Sequence, residues 1–312
     1  MRLSSLIPLL PEHLVKALEI CDIRTDTDLL FSGSPLDILH QLPPNTVNLP
    51  DLTKYIEQVI EKASAPAIRG DEWLARESQA TSNLSSGVTE LDDILKGFSS
   101  PCLLEFSGSK GSGKTALALH LVLRHLVNNP DAGALWIDTL ADFSVERVSE
   151  TLAKFDQETS STVLERLQVS LVFDIEAVHD VLEELRSKLS SETPISTGVV
   201  VRYVVIDAIT PLLAPLLSAV SSQGHAIMTT FMRQLSVLTE TFSLVIIIIN
   251  TTSASLPTNP HSAFPTTTKK PALGPSYTYL SDATLWLAKS NEIAEDGCPT
   301  HVIEVFRSRK SV

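Results

Sequence analysis

Between residues 87 and 290, short apolar runs alternate with stretches in which apolar side chains recur every three or four positions. The runs are Leu103–Phe106, Ala134–Ile137, Leu167–Val172, Val199–Ile206, Leu244–Ile249 and Ala283–Leu287. Runs this apolar, with little polar alternation, predict strands of a parallel sheet covered on both faces. Thr115–Leu126, Val145–Phe155, Ile175–Leu189 and His225–Thr241 carry the helical period between the first five. The alternation predicts an α/β core with a mostly parallel central sheet flanked by helices. Two stretches, Ser190–Gly198 and Thr251–Ser276, follow neither pattern and are expected to be long irregular loops; the second is rich in Pro, Ser and Thr.

The first 63 residues show helical spacing only. Pro11–Ile23 places Leu14, Ala17, Leu18 and Cys21 on one face, with Pro11 suited to a first turn. Pro35–Leu42 and Asp51–Ala63 repeat the pattern, the latter with a stripe of Leu52, Tyr55, Ile56, Val59 and Ile60. The expected organisation is an N-terminal helical domain at 1–63, a linker at 64–86 and a core domain at 87–312. Small and polar residues dominate the linker, and Trp73 and Leu74 stand out in it. These two either dock on a neighbouring domain of the same chain or anchor another protomer.

Composition narrows the function classes. The 312 residues are 43% hydrophobic and 20% charged, as in globular proteins, with a net charge of −13. An acidic chain repels phosphate backbones at long range, so any nucleic-acid contact must be local or supplied by a partner. Three separated cysteines, Cys21, Cys102 and Cys298, argue against a disulfide framework and a zinc site and for a reducing compartment. The N-terminal apolar run Leu6–Leu10 is short and broken by Pro8, unlike a signal peptide. Leu244–Ile249 is far too short to cross a bilayer, so no membrane association is expected.

Candidate chemistry begins at Gly108-Ser109-Lys110-Gly111-Ser112-Gly113-Lys114-Thr115. The stretch fits the phosphate-loop pattern G-x-x-x-x-G-K-[ST] in full, after an apolar run and before a helical one, as the motif requires. Its glycines allow consecutive N–H groups to turn inward, and the helix N-terminus adds positive potential. Lys114 is placed to reach the β- and γ-phosphates of ATP, and the Thr115 hydroxyl to ligate Mg²⁺. Tyr203–Ile206 followed by Asp207 supplies the second half of such a site, a strand ending in a carboxylate that holds the metal through water.

Several segments then resemble one family, the RecA-like recombinases of homologous recombination. They are GVTELDDILKGF at 87–98, LWIDTLADFSVERV at 135–148, LVIIIINTT at 244–252 and KPALGPSY at 270–277. RLQVSLVFDIEAVHDVLEELR at 166–186 and ITPLLAPLL at 209–217 add a likeness to the D-type paralogues of the eukaryotic strand-exchange recombinase. The resemblance implies a nuclear, ATP-binding subunit that joins other recombinase paralogues and supports the main recombinase on single-stranded DNA.

It also implies where the chain departs from active members. Their second strand leads to a glutamate that orients the attacking water, and that position is Leu140, which can neither accept a proton nor align water. Their third strand ends in Asn–Gln; here Asn250 is followed by Thr251. Hydrolysis is therefore expected to be weak or absent in this chain alone, unless Asp142 swings inward. Arg147 aligns with a position that stacks on adenine; an ordinary surface arginine paired with Glu146 or Glu150 is the alternative. The first DNA-facing loop should follow Asp207, yet residues 208–232 contain no Lys or Arg. The second spans Thr251–Ser276 and offers Lys269, Lys270, His261 and Phe264, the last for stacking on a base. Arg307–Lys310 adds a small basic cluster, read as a solvated tail. Weak DNA binding follows. An active DNA-dependent ATPase with strand exchange of its own, a nucleotide-independent scaffold and a small-molecule kinase remain as other readings; the kinase lacks an arginine-rich lid.

Overall fold

The structure, a computed structural model, describes residues 2–63, 69–72, 85–95, 101–155, 162–191, 199–217, 222–254, 268–293 and 299–309. Trp73, Leu74, His261, Phe264, Cys298 and Lys310 lie outside the described residues. The chain divides into two compact units, Met1–Ala75 and Arg76–Val312.

The first unit contains α1 (Glu12–Ile20), α2 (Asp26–Phe31), α3 (Pro35–Gln41) and α4 (Leu49–Ala63). Pro11 is the residue before α1 rather than part of its first turn. Helix α2 escaped the hydrophobic pattern because it is only 6 residues long and buries little besides Leu29. Its start was nonetheless written in the chain. Thr25 and Asp28 form a reciprocal capping box, as Ser34 and Asp37 do for α3. Leu3, Leu6, Leu10, Leu14, Leu18, Leu29, Ile38, Leu52 and Val59 make the core of this unit. Ile60, assigned to the stripe of α4, is half exposed, and Cys21 ends α1 with its thiol donating to the Gln41 carbonyl at 3.2 Å.

The second unit is built on a seven-stranded sheet with order β3-β2-β4-β5-β1-β8-β9. The strands are β1 (Cys102–Gly108), β2 (Ala132–Asp138), β3 (Leu167–Leu171), β4 (Val200–Asp207), β5 (Val245–Asn250), β8 (Ala283–Ile293) and β9 (Pro299–Ser308). All neighbours pair in parallel except β8 with β9. Between β5 and β8 lies a separate antiparallel pair, β6 (Thr252–Ala254) and β7 (Lys269–Pro271). The helices are α5 (Thr89–Leu95), α6 (Lys114–Asn128), α7 (Val145–Leu152), α8 (Ile175–Ser191) and α9 (Gln223–Phe242), with shorter helical turns between some strands.

Two apolar cores cover the two faces of the sheet, as expected of strands without polar alternation. Alternate residues of β5 divide between them. Val245, Ile247 and Ile249 join Leu104, Phe106, Trp136 and Tyr203 against α6. Ile246 and Ile248 join Leu103, Ile137 and Val204 against Val178 and Leu182 of α8 and Phe231 and Leu235 of α9. Burying each such side chain contributes roughly 1.5–3 kcal/mol, which makes β5 intolerant of polar replacement.

Three features differ from the sequence expectation. The stretch 251–276 is not wholly irregular, since its two ends pair as β6 and β7. The edge strand β3 leaves Val169 and Leu171 exposed rather than covered. And β9, which pairs antiparallel with β8 at the edge of the sheet, draws Arg307 into the fold, with Arg309 just beyond its end. Arg307 donates to the carbonyls of Thr278 and Ser281 at 2.6 and 3.1 Å and lies over the Tyr279 ring. Arg309 donates to the Tyr279 carbonyl and approaches Asp282 to 3.6 Å. Neither belongs to a solvated tail.

Candidate functional site

The loop between β1 and α6 can be made only by its glycines. A Cβ at Gly108 would stand 2.2 Å from the Leu287 carbonyl oxygen and 2.6 Å from Ser112 Oγ. Gly111 and Gly113 have φ of +79° and +89°, the left-handed region that side chains disfavour. Lys114, the first residue of α6, arches back along the loop. Its Nζ donates to the carbonyls of Gly108 at 2.8 Å and Ser109 at 2.9 Å. Burial lowers the pKa of this ammonium, opposed by the charge of Asp207. Ser112 Oγ is buried without a hydrogen-bond partner among the described residues, and Lys110 is exposed.

Asp207, the last residue of β4, lies across β5 from the loop. The Thr115 hydroxyl donates to its Oδ2 at 2.9 Å. Burial pushes the Asp207 carboxyl up to about 6, helped by the charges of Asp138 and Asp142 and opposed by the Thr115 hydrogen bond and Lys114. Asp138 accepts from the backbone N–H of Leu140 at 3.0 Å and Phe143 at 2.9 Å, so it holds the following turn in place. Thr139 locks that turn to the segment after β4: its hydroxyl donates to the Ala208 carbonyl and accepts from the Ala208 N–H, both at 2.8 Å. Leu140 projects from the turn, 50% exposed.

These residues fit a magnesium-bound triphosphate. A buried ammonium and an orphaned hydroxyl line the loop, and the hydroxyl–carboxylate pair offers the hard oxygen donors that Mg²⁺ takes. A metal held there would neutralise charge on the terminal phosphates.

A second cluster adjoins the first. Asn250, at the end of β5, donates through Nδ2 to Glu105 Oε1 at 2.7 Å and to the Ala272 carbonyl at 3.2 Å. Its Oδ1 accepts from the Thr210 hydroxyl and from the Thr251 N–H, both at 2.8 Å. The Thr251 hydroxyl donates to Thr210 Oγ1 at 3.0 Å. Glu105 lies in the middle of β1 and also accepts from Thr284 Oγ1 at 2.8 Å. Burial raises its pKa, partly offset by those two donors. Sequence reading overlooked Glu105, although one carboxyl in an otherwise apolar run was a visible signal.

The other expected residues scatter. Arg147 is exposed on the first turn of α7. Lys269 Nζ donates to Ser109 Oγ of the phosphate loop at 3.0 Å, while Lys270 pairs across the ladder with Ser253.

The profile described as Rad51 matches residues 77–295. The chain belongs to the Rad51 family. Among its relatives, the "DNA repair protein RAD51 homolog 4" of Bos taurus is 27% identical over 287 residues, covering 91% of this chain and 84% of the relative. The protein of the same description from Mus musculus is 26% identical over 250 residues, covering 79% and 74%. Among solved structures, the RadB recombinase is 22% identical with a TM-score of 0.50, covering 72% of this chain and 90% of that one. It shares the α/β fold, with its mostly parallel sheet between helices. For this member of the family no helix among the described residues is long and apolar enough to cross a membrane.

Proposed function

We propose that this chain is an ATP- and Mg²⁺-binding recombinase paralogue that acts in homologous-recombination DNA repair as a subunit of a hetero-oligomer. Its family membership and its relatives named as DNA repair proteins support the repair role. One observation carries the nucleotide reading: the Lys114 ammonium and the Thr115–Asp207 pair stand together at the mouth of a glycine-built loop. The loop residues 108–113 and the start of α6 bind the phosphates, Lys114 neutralises their charge, Thr115 and Asp207 hold the metal, and Arg147 supports the adenine. Nothing at position 140 can orient water, so the chain holds ATP far longer than it spends it. Losing water alignment lowers phosphoryl transfer by orders of magnitude, whereas binding rests on the loop and the metal.

Contact with single-stranded DNA is weak and assisted by partners. Residues 208–232 carry no Lys or Arg, and Arg307 and Arg309 are engaged within the fold. Other recombinase paralogues are the partners, and the nucleus is the compartment. The deciding experiment is equilibrium titration of the purified chain with a fluorescent ATP analogue, with and without Mg²⁺, followed by single-turnover hydrolysis with and without single-stranded DNA. Magnesium-dependent binding with slow turnover supports the reading. No binding leaves the scaffold.

One observation favours a second reading, an active DNA-stimulated ATPase. The charge of Asp142 adds to the upward push on the Asp207 carboxyl, which makes Asp142 the candidate for the role that Leu140 cannot fill. DNA-stimulated turnover abolished by Asp142→Asn would establish it.

A further inference from the structure

Lys269 was expected to face DNA. In the structure its ammonium donates to the Ser109 hydroxyl at 3.0 Å, while the ammonium of Lys114 donates to the carbonyl of the same Ser109 at 2.9 Å. Two cations therefore meet at one residue, the second of the phosphate loop. One comes from the helix that ends the loop and the other from a strand 160 residues further on.

The approach of Lys269 is fixed by its strand. β7 pairs with β6 in the register Ala254 with Lys269, Ser253 with Lys270 and Thr252 with Pro271. Just beyond, the Ala272 N–H donates to the Thr251 carbonyl at 3.0 Å, and that carbonyl also accepts from Ser107 Oγ of β1 at 3.1 Å. Asn250 Nδ2 adds a bond to the Ala272 carbonyl at 3.2 Å. The strand that carries Lys269 is thus tied to β1 and β5, the strands on which the nucleotide site is built.

Position along the loop says which phosphate is involved. The backbone amides of such a loop cradle the inner phosphates, and its lysine reaches the outer ones. A second ammonium beside that lysine stands at the outer end. We infer that Lys269 is a second cation for the terminal phosphate of the nucleotide, supplied by β7 of the same chain, so that the strand near the end of stretch 251–276 distinguishes ATP from ADP. The inference rests on the nucleotide reading above and adds to it a residue and a discrimination.

The test is equilibrium titration of the full chain with fluorescent ATP and ADP analogues in Mg²⁺, using wild type, Lys114→Ala, Lys269→Gln and Lys269→Arg. Removing one charge-assisted contact to the outer phosphate should weaken ATP about 10-fold in Lys269→Gln and leave ADP within about 2-fold, with Lys269→Arg restoring most of the loss. An unchanged ATP-to-ADP ratio in Lys269→Gln, with wild type binding and Lys114→Ala impaired, overturns the role of Lys269 alone. Wild type that binds neither nucleotide, or Lys114→Ala that binds as wild type does, overturns the nucleotide reading and this inference together. Hydrogen exchange of residues 268–273 in the unaltered chain gives a check free of folding artefacts. Slower exchange with ATP than with ADP supports the inference, and equal exchange overturns it.

Discussion

The hydroxyl of Thr115 and the carboxylate of Asp207 are joined at 2.9 Å across 92 residues of sequence. One lies in the first turn of α6 and the other closes β4, so this bond fixes the distance between the phosphate loop and the second half of the site. Asp207→Asn keeps the size of the side chain but removes the charge that a metal needs. ATP affinity should then become nearly independent of Mg²⁺, whereas Lys114→Ala should weaken binding about 100-fold with or without metal. Titrations in Mg²⁺ and in EDTA check both.

Leu140 is held at the turn by its own N–H, which donates to Asp138, and its side chain plays no part in that bond. Leu140→Glu should therefore fold normally and place a carboxylate where water can be aligned. We expect single-turnover hydrolysis to rise by about 10-fold or more over wild type, since a positioned base typically contributes factors of 100 or more. A rate unchanged in this variant would argue that the missing glutamate is not what limits turnover.

Glu105 is satisfied by Asn250 and Thr284. Glu105→Ala would remove one acceptor from the buried Asn250 amide and one from the buried Thr284 hydroxyl and open a cavity, at a cost of about 3 kcal/mol. Glu105→Gln offers an acceptor to Asn250 and a donor that the Thr284 hydroxyl can turn to accept, and should cost less than about 1 kcal/mol. Urea unfolding of the two variants measures the difference.

His125 of α6 packs on the Tyr203 ring at 4.5 Å and faces its hydroxyl at 3.3 Å. Burial lowers its pKa to about 4, with the charges of Arg202 and Arg166 adding to the effect. The unfolded chain binds this proton near pH 6.5 and the folded chain only near 4. The contribution to stability is therefore complete above about pH 6.5 and is lost as pH falls towards 4. It amounts to about 2 kcal/mol after allowance for partial exposure. His125→Leu should flatten the stability profile by about one proton over that window, as read by urea unfolding at pH 7, 6 and 5.

The sheet and the phosphate loop were legible because each rests on local information. The five parallel strands nearest the centre are apolar runs, and the loop needs a glycine wherever the backbone turns left-handed. Asp207 was legible as the polar end of such a run. What escaped depends on pairing between distant segments. Arg307–Lys310 looked like a solvated tail because its cations carry no apolar pattern, and only the pairing of β9 with β8 brings Arg307 into the fold. The contact of Lys269 with Ser109 was not legible because sequence records a cation but not the fold of the strand that carries it. β3 read as a covered strand because Val169 and Leu171 are apolar, and composition alone does not reveal which strand ends the sheet.

The Asn250 amide bonds to Thr210, Glu105 and Ala272 from three other segments and to the Thr251 N–H beside it, and it can do so in only one orientation. Turned over, its NH₂ would confront the Thr251 N–H while its oxygen confronted Glu105 and the Ala272 carbonyl. The two halves of the group are therefore committed together: no neighbour can withdraw without the others feeling it. The amide thus acts as a keyed joint between β1, β5 and the chain just after β7: each side of it accepts one kind of partner only.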